Sequence, residues 1–256
     1  MTGRSRAAGP VDLAARLAAI ELIVFDKDGT LIDFHGMWGE WALQLGRDLE
    51  RETGRAISAS LLERYGVNAR TKRTLAHGLL AATPMPRIRE VTVGIVEAAG
   101  VPAAEAERAV AVAWRAPDPV SLARPLADLS TLLDGLRTGG PTGRGRRIAI
   151  ATTDDRAPTL ETIAALGLGP RVDALVCADD GIPVKPEPDM VLHLCAQLGV
   201  GPPVTAVVGD SPSDLRMGRA AGAGLVIGVL SGVGRRDELA QLADVVLPSI
   251  AALEGL

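Results

Sequence analysis

The sequence is poor in aromatic residues and in cysteine, and both shortages exclude classes of function. Phe, Trp and Tyr make up 2% of the 256 residues, so the chain lacks the ring-rich surface on which nucleic-acid bases or sugars stack. The two cysteines, Cys177 and Cys195, lie in apolar segments without the spacing of a metal site. A disulfide framework is not plausible for a chain of this size. We expect the protein to work in the reducing cytoplasm.

Long apolar runs and a surplus of positive charge are missing as well. The longest apolar stretches, such as residues 225–230, are far shorter than the roughly 20 residues that cross a membrane. Asp12 and Arg16 interrupt the N-terminal segment where a signal peptide would need an apolar core. The 27 basic and 31 acidic residues give a net charge of -4, which offers no electrostatic footprint for nucleic acid or an anionic membrane. We therefore expect a soluble monomer or homodimer with neither of these partners.

Four short apolar runs, with a fifth and weaker run at residues 174–177, indicate the fold class. Hydrophobic residues make up 47% of the chain and charged residues 23%, which is enough to bury a sizeable core. Helical patterns separate the runs, and runs that are apolar on both faces are typical of a parallel sheet covered on both sides. The sequence therefore predicts a doubly wound α/β fold. The runs are residues 22–25, 148–151, 174–177, 204–208 and 225–229.

A long insertion separates the first two of these runs. More than 120 residues lie between them, far more than one crossover helix needs. Residues 35–121 read as helical, with few β-branched runs and with breaks at glycines and prolines. We therefore predict an α-helical cap domain at residues 35–121 and an α/β core domain formed by residues 1–34 and 122–256.

Polar side chains follow the predicted strands. Asp26 and Asp28 come directly after the first run, and Gly29 allows the sharp turn that follows, although Asp and Gly are also ordinary turn residues. Residues i and i+2 of an extended chain point the same way, so the two carboxylates are expected to face one pocket. The carboxyl ends of parallel strands meet at the edge where open α/β sheets bind ligands. The residues expected to join them there are Thr152 and Thr153 after the second run, Asp210 and Asp214 after the fourth, and Lys185 on a proline-flanked segment.

The charges of these residues favour a divalent cation. Four aspartates carry a formal charge of -4, and Lys185 returns only +1. At roughly 4 Å and an effective dielectric constant of about 20, each like pair costs about 4 kcal/mol, so a phosphate dianion would be repelled from the bare site. Ligands that are all oxygen atoms select a hard ion such as Mg2+.

The order of these motifs resembles the haloacid dehalogenase superfamily, whose motifs are an Asp-x-Asp, a Ser or Thr, a Lys and an acidic pair. The corresponding stretches are IVFDKDGTLID, IAIATTDD, IPVKPEPD and TAVVGDSPSD, and the resemblance extends from about residue 21 to residue 256. Thr152 matches the family hydroxyl better than Thr153 does, because it directly follows the apolar run. The insertion resembles the helical cap of the phosphoglycolate phosphatase-like subgroup.

The resemblance implies a HAD-like Rossmannoid core and a Mg2+-dependent phosphatase. Its substrate would be a small phosphorylated metabolite, with phosphoglycolate as the first candidate, hydrolysed through an aspartyl-phosphate on Asp26. Asp28 would act as general acid and base, and Thr152 and Lys185 would hold the phosphoryl oxygens. The implied metal site comprises the Asp26 carboxylate, the Asp28 backbone carbonyl, the Asp210 carboxylate, and Asp214, which orients the metal's ligands. Further candidates for substrate binding are Gly29 and Thr153, next to these motif residues, and His35, two residues past Asp33.

Two other functions stay open. A phosphomutase shares the core machinery and differs in how the cap excludes water. A non-catalytic module that binds Mg2+ or phosphate would have no need of an acid-base group at Asp28. Dehalogenases lack the second aspartate of the first motif, so Asp28 argues against dehalogenation.

Residues outside the strand ends allow two interpretations each. In the segment 34–41, a side chain can form the core of a cap helix or roof the site, and we expect His35 to roof it and Trp38 to be core. Arg144, Arg146 and Arg147 either form a solvated loop face, which we expect, or take part in phosphate recognition. Basic cap residues either meet a second anionic group of the substrate or form a solvated helix face; they are Arg70, Lys72, Arg73, Arg87 and Arg89.

Overall fold

The chain divides into two compact units. The computed structural model describes residues 10–75, 78–81, 83, 85–115, 123–141 and 145–256. Phe34–Arg124 is one unit, and the chain before Phe34 together with Pro125–Leu256 is the other. The sequence predicts boundaries after residues 34 and 121, and the second of these lies outside the described residues.

The larger unit contains a parallel sheet. Its strands are β1 (Leu22–Phe25), β2 (Arg147–Ala151), β3 (Ala174–Val176), β4 (Thr205–Gly209), β5 (Leu225–Val229) and β6 (Val245–Leu247). They lie in the order β3-β2-β1-β4-β5-β6, and every neighbouring pair is parallel. The predicted doubly wound α/β fold is confirmed. The first five strands match the predicted apolar runs to within one residue at each end, and β6 is an addition.

Helices connect the strands and build the smaller unit. In chain order they are α1 (Pro10–Ala18), α2 (Phe34–Thr53), α3 (Ser58–Tyr65), α4 (Met85–Ala98), α5 (Ala103–Ala113), α6 (Leu129–Thr138), α7 (Arg156–Ala165), α8 (Asp189–Leu198), α9 (Pro212–Ala220) and α10 (Arg236–Leu239), with 3-10 turns at Leu79–Ala81, Gly169–Arg171, Ala178–Asp180, Pro202–Val204 and Ile250–Leu253. Helices α2 to α5 belong to the smaller unit. Among the described residues, none of these helices has both the length and the apolar character needed to cross a bilayer.

The core of the larger unit lies on both faces of the sheet. Side chains alternate along β1, so Ile23 and Phe25 pack on one face with Leu17 of α1, whereas Leu22 and Val24 pack on the other face with residues of α8. All four β1 side chains are fully buried. A strand buried on both faces explains why its sequence is apolar without interruption.

Arg146 corrects the expectation of a solvated arginine loop. Its side chain is buried, and its guanidinium donates hydrogen bonds to the carbonyls of Leu136 at 2.8 Å, Leu17 at 2.9 Å and Ile20 at 3.2 Å. The Leu17 and Leu136 carbonyls lie in the last turns of α1 and α6, where carbonyls lack intrahelical partners. The arginine therefore caps two helix ends. Arg147 is exposed, as expected, and Arg144 lies outside the described residues.

The smaller unit has an aromatic core. The Trp41 ring stacks on Tyr65 with centroids 6.0 Å apart and packs edge-on against Trp38 at 5.6 Å and Trp114 at 5.3 Å. The Tyr65 hydroxyl is 2.5 Å from Thr92 Oγ1, so the polar end of this buried ring is satisfied. Trp38 is buried, as predicted for a core residue.

Candidate active site

The candidate site lies at the carboxyl ends of three adjacent strands. β1 pairs with β2 on one side and with β4 on the other. Hydrogen bonding continues one residue beyond β1 and β2, because the Asp26 N–H donates to the Val208 carbonyl at 2.9 Å and the Thr152 N–H to the Val176 carbonyl at 3.0 Å. Open α/β sheets bind ligands at this edge, where the strand order reverses. The sheet thus delivers Asp26, Thr152 and Asp210 to its ligand-binding edge.

The turn after β1 brings Gly29 against Asp210. The Leu31 N–H donates to the Lys27 carbonyl at 2.9 Å, which reverses the chain. Gly29 has a φ of +90°, and a Cβ on it would lie 2.7 Å from Asp210 Cγ. Glycine is therefore required by the backbone conformation and also by the close approach of the carboxylate. Its role in substrate binding stays a prediction.

Three buried aspartates form the centre of the site. One carboxylate oxygen from each of Asp26, Asp210 and Asp214 lies within 4.8 Å of the other two. Burial raises the pKa of Asp210 well above its usual value, and the charges of Asp26 and Asp214 raise it further. Burial also raises the pKa of Asp26, against the opposing effect of Lys185. Three like charges in a buried place are stabilised by a cation.

Lys185 supplies one cation to this cluster. Its ammonium lies 2.5 Å from Asp26 Oδ1 and 2.6 Å from Asp214 Oδ1, and its side chain is 4% exposed. Burial alone would lower the pKa of Lys185, but the two carboxylates outweigh it and raise the pKa. The lysine therefore stays charged, and Asp210 is the aspartate of the three that it does not contact directly.

The start of α9 fixes Asp214. Ser211 is the N-cap residue, and its hydroxyl and N–H donate to Asp214 Oδ2 at 2.6 Å and 2.9 Å. Since Asp214 N–H also donates to the Ser211 hydroxyl, the two residues form a capping box. One carboxylate oxygen thus serves the helix and the other faces Lys185. The Ser-x-x-Asp pattern is readable from the sequence as a cap.

The loop after β5 holds Asp210. The Val233 N–H donates to Asp210 Oδ2 at 2.7 Å, and the Gly234 N–H donates to the Asp210 carbonyl at 2.9 Å. The Ser231 hydroxyl donates to the Gly29 carbonyl at 2.7 Å, so the same loop also contacts the turn after β1. A Cβ on Gly232 would lie 1.9 Å from Asp210 Oδ2. Sequence reasoning missed this loop as part of the site, although its glycines are visible in the stretch GVLSGVG.

The remaining predicted residues have different surroundings. Thr152 is buried at the end of β2, and its hydroxyl accepts a hydrogen bond from the Asp154 N–H at 3.1 Å, whereas Thr153 is exposed.

His35 belongs to the smaller unit, where it is buried. Its Nδ1 accepts a hydrogen bond from the Thr74 N–H at 3.1 Å and lies 2.8 Å from the Thr74 hydroxyl. His35 therefore has a structural role inside the cap, and its substrate-binding role and that of Thr153 stay predictions.

Sequence reasoning missed Lys27 and Asp154. The Lys27 ammonium lies 2.6 Å from Asp28 Oδ2 and 2.8 Å from Asp154 Oδ2, and the Lys27 side chain is 5% exposed. Burial raises the pKa of Asp28 to about 7, against the opposing effect of Lys27. Burial would lower the pKa of Lys27, but the two carboxylates outweigh it and raise the pKa. The sequence signal is the lysine between two aspartates in IVFDKDGTLID, together with the acidic residues after Thr153.

A comparison with protein families shows which family this sequence belongs to. A family model described as haloacid dehalogenase-like hydrolase matches residues 20–222. The chain belongs to the haloacid dehalogenase-like hydrolase family. The resemblance carried by the four motifs is thereby confirmed, including the likeness to the phosphoglycolate phosphatases of this hydrolase family.

Relatives of this hydrolase with curated names include a phosphatase and a mutase. A phosphoglycolate phosphatase of Rhodospirillum rubrum is 30% identical over 207 residues, which cover 80% of this chain and 78% of that protein. A β-phosphoglucomutase of Mycobacterium bovis is 32% identical over 134 residues, which cover 49% of this chain and 51% of that protein. This chain spans about half the length of the first curated relatives that it matches.

Solved structures show the same fold. A predicted phosphoglycolate phosphatase from Haemophilus somnus aligns with a TM-score of 0.66 at 18% identity, covering 91% of this chain and 96% of that chain. At this identity the likeness establishes the fold alone.

Proposed function

We propose that this chain is a phosphatase that hydrolyses a small phosphate monoester in a Mg2+-dependent reaction, through an aspartyl-phosphate intermediate on Asp26. The observation that carries the proposal is the buried cluster of Asp26, Asp210 and Asp214 around the Lys185 ammonium. Phosphoglycolate is the first candidate substrate, because the relative that aligns over 80% of this chain is named a phosphoglycolate phosphatase. The two buried free cysteines support work in a reducing cytoplasm.

The donor set fits Mg2+. All candidate ligands are oxygen atoms, and Asp26 Oδ2 is buried without a hydrogen-bond partner among the described residues. The Asp26 and Asp210 carboxylates and the Asp28 backbone carbonyl would hold the ion, with Asp214 orienting its ligands. When bound, Mg2+ would offset the aspartate charges and polarise a phosphoryl oxygen of the substrate.

Asp26 is the proposed nucleophile. Its carboxylate attacks phosphorus, the bond from phosphorus to the leaving oxygen breaks, and an aspartyl-phosphate forms. Lys185, in contact with Asp26, offsets charge on the nucleophile and on the transferring phosphoryl group. The Thr152 hydroxyl, at the end of the neighbouring strand, is the proposed donor to a phosphoryl oxygen.

Asp28 is the proposed acid and base. It gives a proton to the leaving oxygen in the first step and takes one from the attacking water in the second, when the bond between phosphorus and Asp26 breaks. The two transfers restore Asp28 and release an alcohol and inorganic phosphate. A pKa raised to about 7 by burial suits both transfers at neutral pH.

The test is phosphate release from a panel of phosphate esters, with Mg2+ and after treatment with EDTA. We expect release only with Mg2+, and a loss of at least about 1,000-fold in Asp26→Asn, as is usual when a nucleophile is removed. Asp155→Asn, an exposed aspartate near the site, is the control and should keep wild-type activity. Full activity in excess EDTA contradicts the proposal. A folded protein that binds phosphate or Mg2+ and releases nothing would favour the non-catalytic module.

A phosphomutase is the second candidate, favoured by the likeness to the β-phosphoglucomutase of Mycobacterium bovis. A mutase passes the phosphoryl group from the enzyme to a sugar phosphate instead of to water. Conversion of a sugar phosphate into its isomer without net phosphate release would therefore identify a mutase, whereas stoichiometric phosphate and alcohol identify a phosphatase.

A further inference from the structure

A second ion-paired group lies next to the aspartate cluster. Lys27 contacts Asp28 Oδ2 at 2.6 Å and Asp154 Oδ2 at 2.8 Å. Lys27 and Asp28 belong to the turn after β1, whereas Asp154 follows β2, the neighbouring strand. The two ion pairs therefore join the ends of adjacent strands.

Asp154 is held in place by its backbone. Its N–H donates to Thr152 Oγ1 at 3.1 Å, and its carbonyl accepts from the Ala178 N–H at 3.0 Å. The Asp154 side chain is 25% exposed, whereas that of Lys27 is 5% exposed. Since a buried ammonium is costly unless carboxylates pair with it, Asp154 anchors Lys27 from a fixed strand end.

The two carboxylate oxygens of Asp28 have different surroundings. Oδ2 is in the ion pair with Lys27, whereas Oδ1 is buried and has no hydrogen-bond partner among the described residues. With Oδ2 tied to an ammonium that Asp154 anchors on its other side, the position of Oδ1 follows from both ion pairs together. Oδ1 is then the carboxylate oxygen that is left to exchange a proton with a substrate.

We propose that Asp154 is a positioning residue: acting through Lys27, it holds the Asp28 carboxylate so that Oδ1 transfers the proton to the leaving oxygen. The inference rests on the proposed function, in which Asp28 is the general acid. The proton leaves Oδ1 as the bond from phosphorus to the leaving oxygen breaks, and the water that cleaves the aspartyl-phosphate returns a proton. A small misplacement of such a group lowers the rate of the step it serves.

This role predicts a loss that depends on the leaving group. The ratio kcat/KM reports the steps up to release of the alcohol. p-Nitrophenolate departs without a proton, whereas an alkoxide needs one. Asp154→Asn keeps the side-chain volume and removes the charge, so we expect kcat/KM to fall about tenfold for an alkyl phosphate and less than about twofold for p-nitrophenyl phosphate. Asp154→Glu retains the carboxylate and should recover part of the loss.

The experiment measures kcat/KM on both substrates for the wild type, Asp154→Asn, Asp28→Asn and the double variant. In the Asp28→Asn background, Asp154→Asn should add less than about twofold, because its effect passes through Asp28. Asp155→Asn is the matched control: it is the next residue along the chain, is exposed, and makes the same change of charge. Its kinetics should equal those of the wild type on both substrates.

Equal losses on both substrates, or an undiminished further loss in the Asp28→Asn background, would overturn the positioning role. A crystal structure of Asp154→Asn adds a readout that does not depend on turnover. We expect the Asp28 carboxylate to leave its wild-type position, and an unmoved carboxylate would overturn the inference. A wild-type protein inert on every ester would refute the proposed function and the catalytic part of this inference, and the variant's structure would still decide whether Asp154 holds Asp28.

Discussion

At the scale of single residues, two buried lysines each lie between two carboxylates. Lys185 contacts Asp26 and Asp214. Lys27 contacts Asp28 and Asp154. Asp210 instead accepts a hydrogen bond from the Val233 N–H, and a longer one from the Thr30 hydroxyl at 3.4 Å. Of the three clustered aspartates, Asp210 is thus held by hydrogen bonds, whereas Asp26 and Asp214 contact the Lys185 ammonium.

Replacing Lys185 by methionine should lower activity irrespective of the leaving group. The lysine contacts Asp26, the proposed nucleophile, and removing one charged donor from a site of this kind costs about 100- to 1,000-fold in rate. We expect kcat/KM to fall by a similar factor for an alkyl phosphate and for p-nitrophenyl phosphate. A loss confined to the alkyl ester would instead make Lys185 part of the proton transfer. Thermal unfolding measured in parallel shows whether the variant is folded.

The motif residues of the site were predictable from the sequence, and the ion pairs around Asp28 were not. Asp26 and Asp210 each follow an apolar strand directly, so strand position alone brings them to one edge of the sheet. Lys27 was missed because alternation along an extended chain would point it away from the carboxylates on either side. The strand ends at Phe25 and the chain turns at Lys27, whose carbonyl accepts the Leu31 N–H, so the alternation of an extended chain is no guide to the direction of its side chain.

At the scale of elements, the loop after β5 contacts the candidate site in a way that its sequence pattern does not predict. It contacts Asp210 through backbone N–H groups and the Gly29 carbonyl through the Ser231 hydroxyl. Backbone donors carry no residue signature, so only the glycines mark the loop. By contrast, β6 was missed because its apolar run of three residues is shorter than the four to eight residues typical of a strand.

Gly232→Ala should weaken the proposed Mg2+ site. The added methyl would lie 1.9 Å from Asp210 Oδ2, so the carboxylate or the loop must move. Changes to residues that orient metal ligands typically cost about 10- to 100-fold in metal affinity, and we expect the Mg2+ concentration for half-maximal phosphate release to rise by that factor. Gly135→Ala in α6, where a Cβ meets nothing within 4 Å, is the control and should leave this concentration unchanged. An unchanged Mg2+ dependence in Gly232→Ala would contradict the assignment of Asp210 as a ligand.

At the scale of the whole molecule, the inserted unit contributes no strand to the sheet of the larger unit. Its six strands come from the chain before Phe34 and after Arg124. The two passages are joined within the core, because Ile32 forms a β-bridge with Pro125 and the Leu126 N–H donates to the Leu31 carbonyl at 3.0 Å. The catalytic residues proposed here all lie on this core. The insertion was predictable because no single crossover needs so many residues.

The most direct test of the central claim is to trap the phosphorylated Asp26. We expect Asp28→Asn to form the aspartyl-phosphate from p-nitrophenyl phosphate, whose leaving group needs no proton. Without the proposed base that activates water, the intermediate should accumulate. Quenching this variant during turnover with borohydride reduces an acyl phosphate to an alcohol, which converts the aspartate into homoserine. Peptide mass spectrometry should then find homoserine at position 26, only with Mg2+ and substrate present and never in Asp26→Asn. Phosphate release by the wild type with residue 26 unmodified in every sample would contradict the account.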